Sequence, residues 1–240
     1  MTSVAPTAAN PMASEIRLIS SMATRQLLAD LVALFQQRCV QRVAVESVGG
    51  VDAARRVQAG EAFDAVVLAS DAIDRLVAAG SVVAGSRVDL VRSGVAVAVR
   101  AGAPRPPIDT EEDVKRAVLA ARHIGYSTGP SGTYLAALFE RWGIADAVKA
   151  RTVIASAGVP VGQLVAQGQV ELGFQQLSEL MHQDGIAVLG PLPPAIQLVT
   201  IFSAGVAATS VQPEAVRALL GFLASPAAAE AKRQQGMEPA

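Results

Sequence analysis

The chain has 240 residues, 51% hydrophobic, 17% charged and 4% aromatic, which is enough apolar material for one large domain or two modest lobes. A formal net charge of −1 gives neither nucleic acid nor an anionic membrane an electrostatic reason to bind, and no apolar run approaches the length of a membrane-spanning helix. Two separated histidines and the single Cys39 make neither a metal cluster nor an internal disulfide, so no metal is expected.

Residues 1–13 are small and polar with two prolines, and are expected to be disordered. The opening MTSVAPTAANPMASEIRL has no basic n-region and no apolar core of signal-peptide length. The expectation is therefore a cytoplasmic protein, or a periplasmic one if an export signal has been removed. EIRLIS (15–20) reads as a strand, and Leu27, Leu28, Leu31, Leu34 and Phe35 then mark one face of a helix. VAVES (43–47) is the next strand, followed by a helix carrying Ala53, Ala54 and Val57 that Gly60 closes. DAVVLAS (64–70) is almost wholly apolar at strand length, as a parallel strand covered on both faces should be.

A helix near 71–79 leads to SGVAVAVRAGAPRPP, the best candidate for a crossing between two lobes. Strands near 122–126, 151–154 and 170–176 then alternate with helices near 111–120, 132–142 and 159–167. The extended segment 196–210 is read as a return to the first lobe, and PEAVRALLGFLA and PAAAEAKRQQG as two closing helices with proline at their starts. The architecture expected is α/β, with lobe 1 over residues 14–95, lobe 2 over 96–200, and lobe 1 completed by 201–240.

Small hydroxylated or glycine residues gather where strands end: Ser20 and Ser21, Ser47 to Gly50, and Ser127 to Gly132. In open α/β sheets the ligand crevice lies beyond the carboxyl ends of the strands, so these loops can converge on one site. GYSTGPSGTYLAALFERWG (125–143) runs from a strand end into a helix with Leu135, Leu138, Phe139 and Trp142 on one face. Unpaired N–H groups at such a helix start, with hydroxyls of Ser127, Thr128 and Ser131, suit an anion. Turn chemistry alone also accounts for the loop. Thr133 stands where a nucleotide-binding phosphate loop needs lysine, no G-x-G-x-x-G follows a strand, and no G-x-S-x-G elbow is present, so no cofactor is expected.

This constellation resembles the type 2 periplasmic-binding-protein fold, and within it the molybdate-binding proteins of ABC importers. The stretches that carry the resemblance are SSMATRQLLADLVALF, RRVQAGEAFDAVVLASDAIDRLVAAG, SGVAVAVRAG, GYSTGPSGTYLAALFERWG and VELGFQQLSEL. The resemblance implies two lobes with the ligand cleft between them. Its anion contacts fall on Ser20, Ser21, Gly49, Gly50, Ser131, Gly132, Val159 and Gln176. Two departures stand out: the second loop has glycines where that family has serines, and Gln176 replaces a tyrosine. Both fit a larger planar organic anion better than a tetrahedral oxyanion.

LGFQQLSEL followed by GPLPPAIQLVTIFSAGV is similar to the branch that includes aconitate isomerases. That implies an allylic proton shift in a small unsaturated di- or tricarboxylate, which needs a base and donors for the developing charge. Tyr126 and Glu46 are named as catalytic candidates, with ordinary readings beside them: a packed tyrosine at a strand end, and a glutamate that alternation turns outward. Arg92 is the carboxylate-pairing candidate against a surface arginine, and His123 is read as a core or edge residue. The alternatives are an anion-binding receptor serving an ABC permease, and a cytoplasmic anion sensor.

Overall fold

The computed structural model describes residues 15–156 and 158–240; the expectation for residues 1–13 lies outside them. The chain opens with β1 (Ile16–Ser21), a 3-10 turn (Met22–Thr24), α1 (Arg25–Gln36), β2 (Val43–Val48), α2 (Gly50–Gln58), β3 (Ala65–Ala69) and α3 (Ser70–Ala78). β1 pairs in parallel with β2 and with β3, so these strands point their carboxyl ends the same way. Alternation sorts the side chains. Ala65 and Val67 of β3 join a cluster with Leu28, Leu31 and Phe35 of α1, while Val66 and Leu68 join Ile19, Val57, Phe63 and Ile73 on the other face.

The segment read as the crossing contains one long strand. β4 (Val88–Arg100) is extended for 13 residues, about 40 Å at the usual strand rise. Its first half pairs antiparallel with β9 (Val199–Val206), and Val95 to Ala98 pair with β7 (Leu172–Gln176). Between these come α4 (Glu111–Ala120), β5 (Ile124–Tyr126), α5 (Pro130–Arg141), α6 (Ala145–Lys149), β6 (Thr152–Ile154) and α7 (Val161–Ala166). α8 (Leu177–Leu180) and β8 (Ile186–Pro191) follow β7, and α9 (Pro213–Ala224), α10 (Ala229–Gln234) and β10 (Glu238–Pro239) close the chain. The strand order is β2-β1-β3-β9-β4-β7-β5-β6, with β8 and β10 both pairing β4.

A second core forms around Val97, Val114, Ile124, Leu138, Phe139 and Phe174, distinct from the clusters beside β3, so the molecule is two-lobed. Glycines end the helices as expected: Gly60, Gly143 and Gly236 follow α2, α5 and α10 with φ of 77°, 68° and 66°. The short α6, α8, β8 and β10 were not expected from sequence. His123 lies outside β5 and is exposed, correcting the core or edge reading; its carbonyl accepts the Glu171 N–H at 2.9 Å. Among the described residues no helix is long and apolar enough to cross a membrane.

Candidate functional site

In-register pairing of β1 with β2 sets Ser20 opposite Ser47, and their hydroxyls are 2.8 Å apart. Ser21 points to the other face, against Gly50: a Cβ added at Gly50 would lie 3.6 Å from the Ser21 Cβ. Ser21 is buried, and its Oγ is the one buried side-chain nitrogen or oxygen atom among the described residues with no hydrogen-bond partner. An orphaned hydroxyl costs about 1–3 kcal/mol. It sits at a strand end beside the first turn of α2.

The glycines of that turn are not there for the backbone. Gly49 has φ −57°, ψ 136°, open to any residue, and a Cβ would meet nothing within 4 Å. Their effect is to leave space and bare the N–H groups at the start of α2, which lack helical partners and carry the positive end of the dipole. Beside them lies a cavity of about 670 Å³, lined by Met22, Arg25, Ser47, Gly49 and Asp52 and, from the second lobe, by Gly158. Asp52 is held by Arg55 at 2.5 Å. Arg25 has no ion-pair partner among the described residues, so its guanidinium is free to take a carboxylate.

In the second lobe, β5 and β6 run parallel, which brings the start of the 127–132 loop beside Ala155, whose N–H bonds the Tyr126 carbonyl at 2.9 Å. Ser131 is buried, Ser127 is partly buried, and Thr128 is exposed. The Ser127 hydroxyl accepts the Gly129 N–H at 3.3 Å, a turn contact. Gly132 is sterically required: a Cβ would sit 1.6 Å from the Ser127 carbonyl oxygen, because the loop is folded down onto the first turn of α5. Val159 is partly buried, and its N–H bonds the Ser156 carbonyl at 3.0 Å.

Four of the sequence candidates have other partners. Glu46 borders the cavity, but its carboxylate is tied to Arg56, which also binds Glu61 at 2.6 Å and lies over the Phe63 ring. Tyr126 packs edge-on against Phe139 in the lobe 2 core, and burial pushes its phenol above the ordinary value, away from the phenolate that a base requires. Arg92 is exposed on β4, paired in register with Glu238 of β10, away from the cavity. Gln176 is buried at the strand crossing. In the amide orientation that satisfies both ends, its nitrogen donates to Ser93 Oγ (2.9 Å) and the Gly94 carbonyl (3.1 Å), and its oxygen accepts from Thr200 Oγ1 (3.0 Å).

One group the sequence reading passed over is Glu179. Burial raises its carboxyl to about 7, opposed by a hydrogen bond from Gln175 Nε2 at 2.7 Å. Gln175 lies in β7 and Glu179 in α8, so the strand-to-helix turn makes the pair and no helical spacing in the sequence announces it.

These features define a two-lobed binding protein of the type 2 periplasmic class, with anion-suited groups at the strand ends. The model of the family described as bacterial extracellular solute-binding protein matches residues 16–238, and the chain belongs to that family. A curated relative, aconitate isomerase of Pseudomonas sp, is 42% identical over 185 residues, covering 77% of this chain and 70% of the relative. Among solved structures, the periplasmic molybdate-binding protein of Azotobacter vinelandii superposes with TM-score 0.76 at 19% identity, covering 92% of this chain and 98% of that one. The sulfate-binding protein SubI of Mycobacterium tuberculosis H37Rv gives 0.71 at 20% identity, covering 94% and 87%.

Proposed function

We propose that the protein is a cofactor-independent isomerase that shifts a double bond in a small unsaturated di- or tricarboxylate bound between the lobes. The observation that carries this reading is the 42% identity to an aconitate isomerase, which extends over most of both chains. Arg25 of the cavity wall and the groups at the neighbouring strand ends support it. Arg25 takes one carboxylate as a forked pair, while the N–H groups of Gly50 and its neighbours with the Ser21 hydroxyl take another and stabilise the charge of a dienolate. Ser20 and Ser47 hold the first-lobe loops in register, and Ser131 with the loop before it closes the second side.

The test is a proton NMR time course of the purified protein with cis-aconitate and a panel of unsaturated carboxylates in deuterated buffer. Formation of an isomer, or replacement of an allylic proton by deuterium, is the expected result. The family and fold favour a second reading, a receptor that hands an anion to an ABC permease. It predicts ligand lines broadened by binding with no exchange and no isomer. That outcome across the panel would reject the isomerase reading and direct the search to oxyanions.

A further inference from the structure

Moving an allylic proton requires a base whose proton affinity lies near the working pH and which no permanent cation holds in its ionised form. Glu46, Asp52 and Glu61 are each paired with arginine. Glu179 is different: it is partly buried, makes no ion pair among the described residues, and is held by an uncharged amide. Gln175 is fixed in turn, since its Oε1 accepts the Val161 N–H at 2.9 Å. The amide therefore presents its nitrogen to Glu179 in one orientation.

α8, the element that carries this carboxyl, lies where the lobes meet. α8 packs against the Met22–Thr24 turn, with Ser178 Oγ donating to the Ala23 carbonyl at 2.9 Å, and Met22 lines the cavity. Val161 follows three residues after Gly158, which also lines the cavity. The Met22–Thr24 turn, β7 and α7 contribute no titratable side chain against α8, and the turn after α10, which carries Glu230, Lys232 and Arg233, meets it through Gly236 against Leu177 and Met181. β4 carries Asp89, Arg92 and Arg100, but it meets α8 through Ala96 and Ala98.

We infer that Glu179 is the base that transfers the allylic proton, with Gln175 as its positioning residue. The inference rests on the isomerase reading. The carboxylate oxygen takes the proton from the allylic carbon as the C–H pair delocalises into a dienolate. The same carboxylic acid then returns the proton to the far carbon of the allyl unit, so the double bond moves and the glutamate is regenerated. No oxidant, reductant or leaving group is involved.

The experiment compares the 240-residue chain with Glu179→Gln and Gln175→Ala, using cis-aconitate in deuterated buffer with proton NMR for rates and titration calorimetry for binding. Glu179→Gln is expected to lose isomerisation and exchange by about 100-fold or more, the scale of a general base, while binding cis-aconitate within about threefold of the parent. Gln175→Ala is expected to move the rising limb of the kcat/KM profile to higher pH, because the donor that favours the ionised carboxylate has gone. A merely structural role would not shift that limb. If Glu179→Gln keeps its rate while the parent turns over, the assignment falls and the isomerase reading stands; if the parent is inert on the whole panel, both fall. If Glu179→Gln does not fold, the Gln175→Ala profile decides: an upward shift supports Glu179 and an unchanged midpoint overturns it.

Discussion

Glu179 carries a cost in the folded state that titration exposes. Its carboxyl is raised by burial from 4.5 to about 7, so between those values the folded chain holds a proton that the unfolded chain has released. Stability therefore falls as pH rises through that window and stays reduced above it. At about 1.4 kcal/mol per unit, the cost at pH 8 is on the order of 3 kcal/mol. Glu179→Gln, which cannot ionise, should gain stability over the parent at pH 8 and much less at pH 4.5, measured by denaturant midpoints at the two values. A variant that is slower yet more stable above neutrality is what a functional carboxyl buried without a cation should give. Ser21 has the same character in neutral form, an unpaired hydroxyl that the fold keeps buried.

At the scale of elements, the glycines separate into two kinds. Gly132 is imposed by the contact between its loop and α5, since a Cβ would overlap the backbone oxygen of Ser127, which cannot rotate aside. Gly132→Ala should lower stability by about 3 kcal/mol or more, at or beyond the upper end of ordinary overpacking. Gly49→Ser should fold like the parent, because the position has ordinary dihedrals and open space. Chemical denaturation of the two variants side by side checks both. Turn and helix signals made the two glycine loops legible in the sequence, but identical letters concealed opposite reasons. α8 was illegible because four residues are too few to show a helical period, and β8 because it is half-buried and joins β4 through an irregular register.

For the whole molecule, β4 serves both lobes, and the crossing is pinned by amides. Gln176 bonds Ser93 and Gly94, while Gln197 accepts the Val95 N–H at 2.9 Å and donates to the Val95 carbonyl at 3.1 Å. A ligand that touches both lobes adds its binding free energy to the stability of this arrangement. At a concentration 100 times its Kd, the gain is about 2.7 kcal/mol, or roughly 5–10 °C in Tm for a chain of this size. Thermal melts with cis-aconitate should show such a shift in the parent and a much smaller one in Arg25→Ala, which lacks the cavity's free guanidinium. Equal shifts in the two proteins would remove Arg25 from the site.

The sequence by itself determined the α/β alternation, which faces of β3 and the main helices are buried, where glycines end helices, and that hydroxyls and glycines cluster at strand ends. These follow from local periodicity and backbone preference, which a few consecutive residues express. Only the tertiary structure decided which of those groups have partners. It bound Glu46 to Arg56, enclosed Tyr126 against Phe139, fixed Gln176 at the crossing and set Arg92 beside β10. Among the described residues it left the Ser21 hydroxyl and Arg25 without a hydrogen-bond or ion-pair partner, and Glu179 partly buried with no cation beside it. The physical reason is that desolvation and pairing depend on residues far apart in the chain, so a side chain's chemistry is set by where the fold delivers its neighbours.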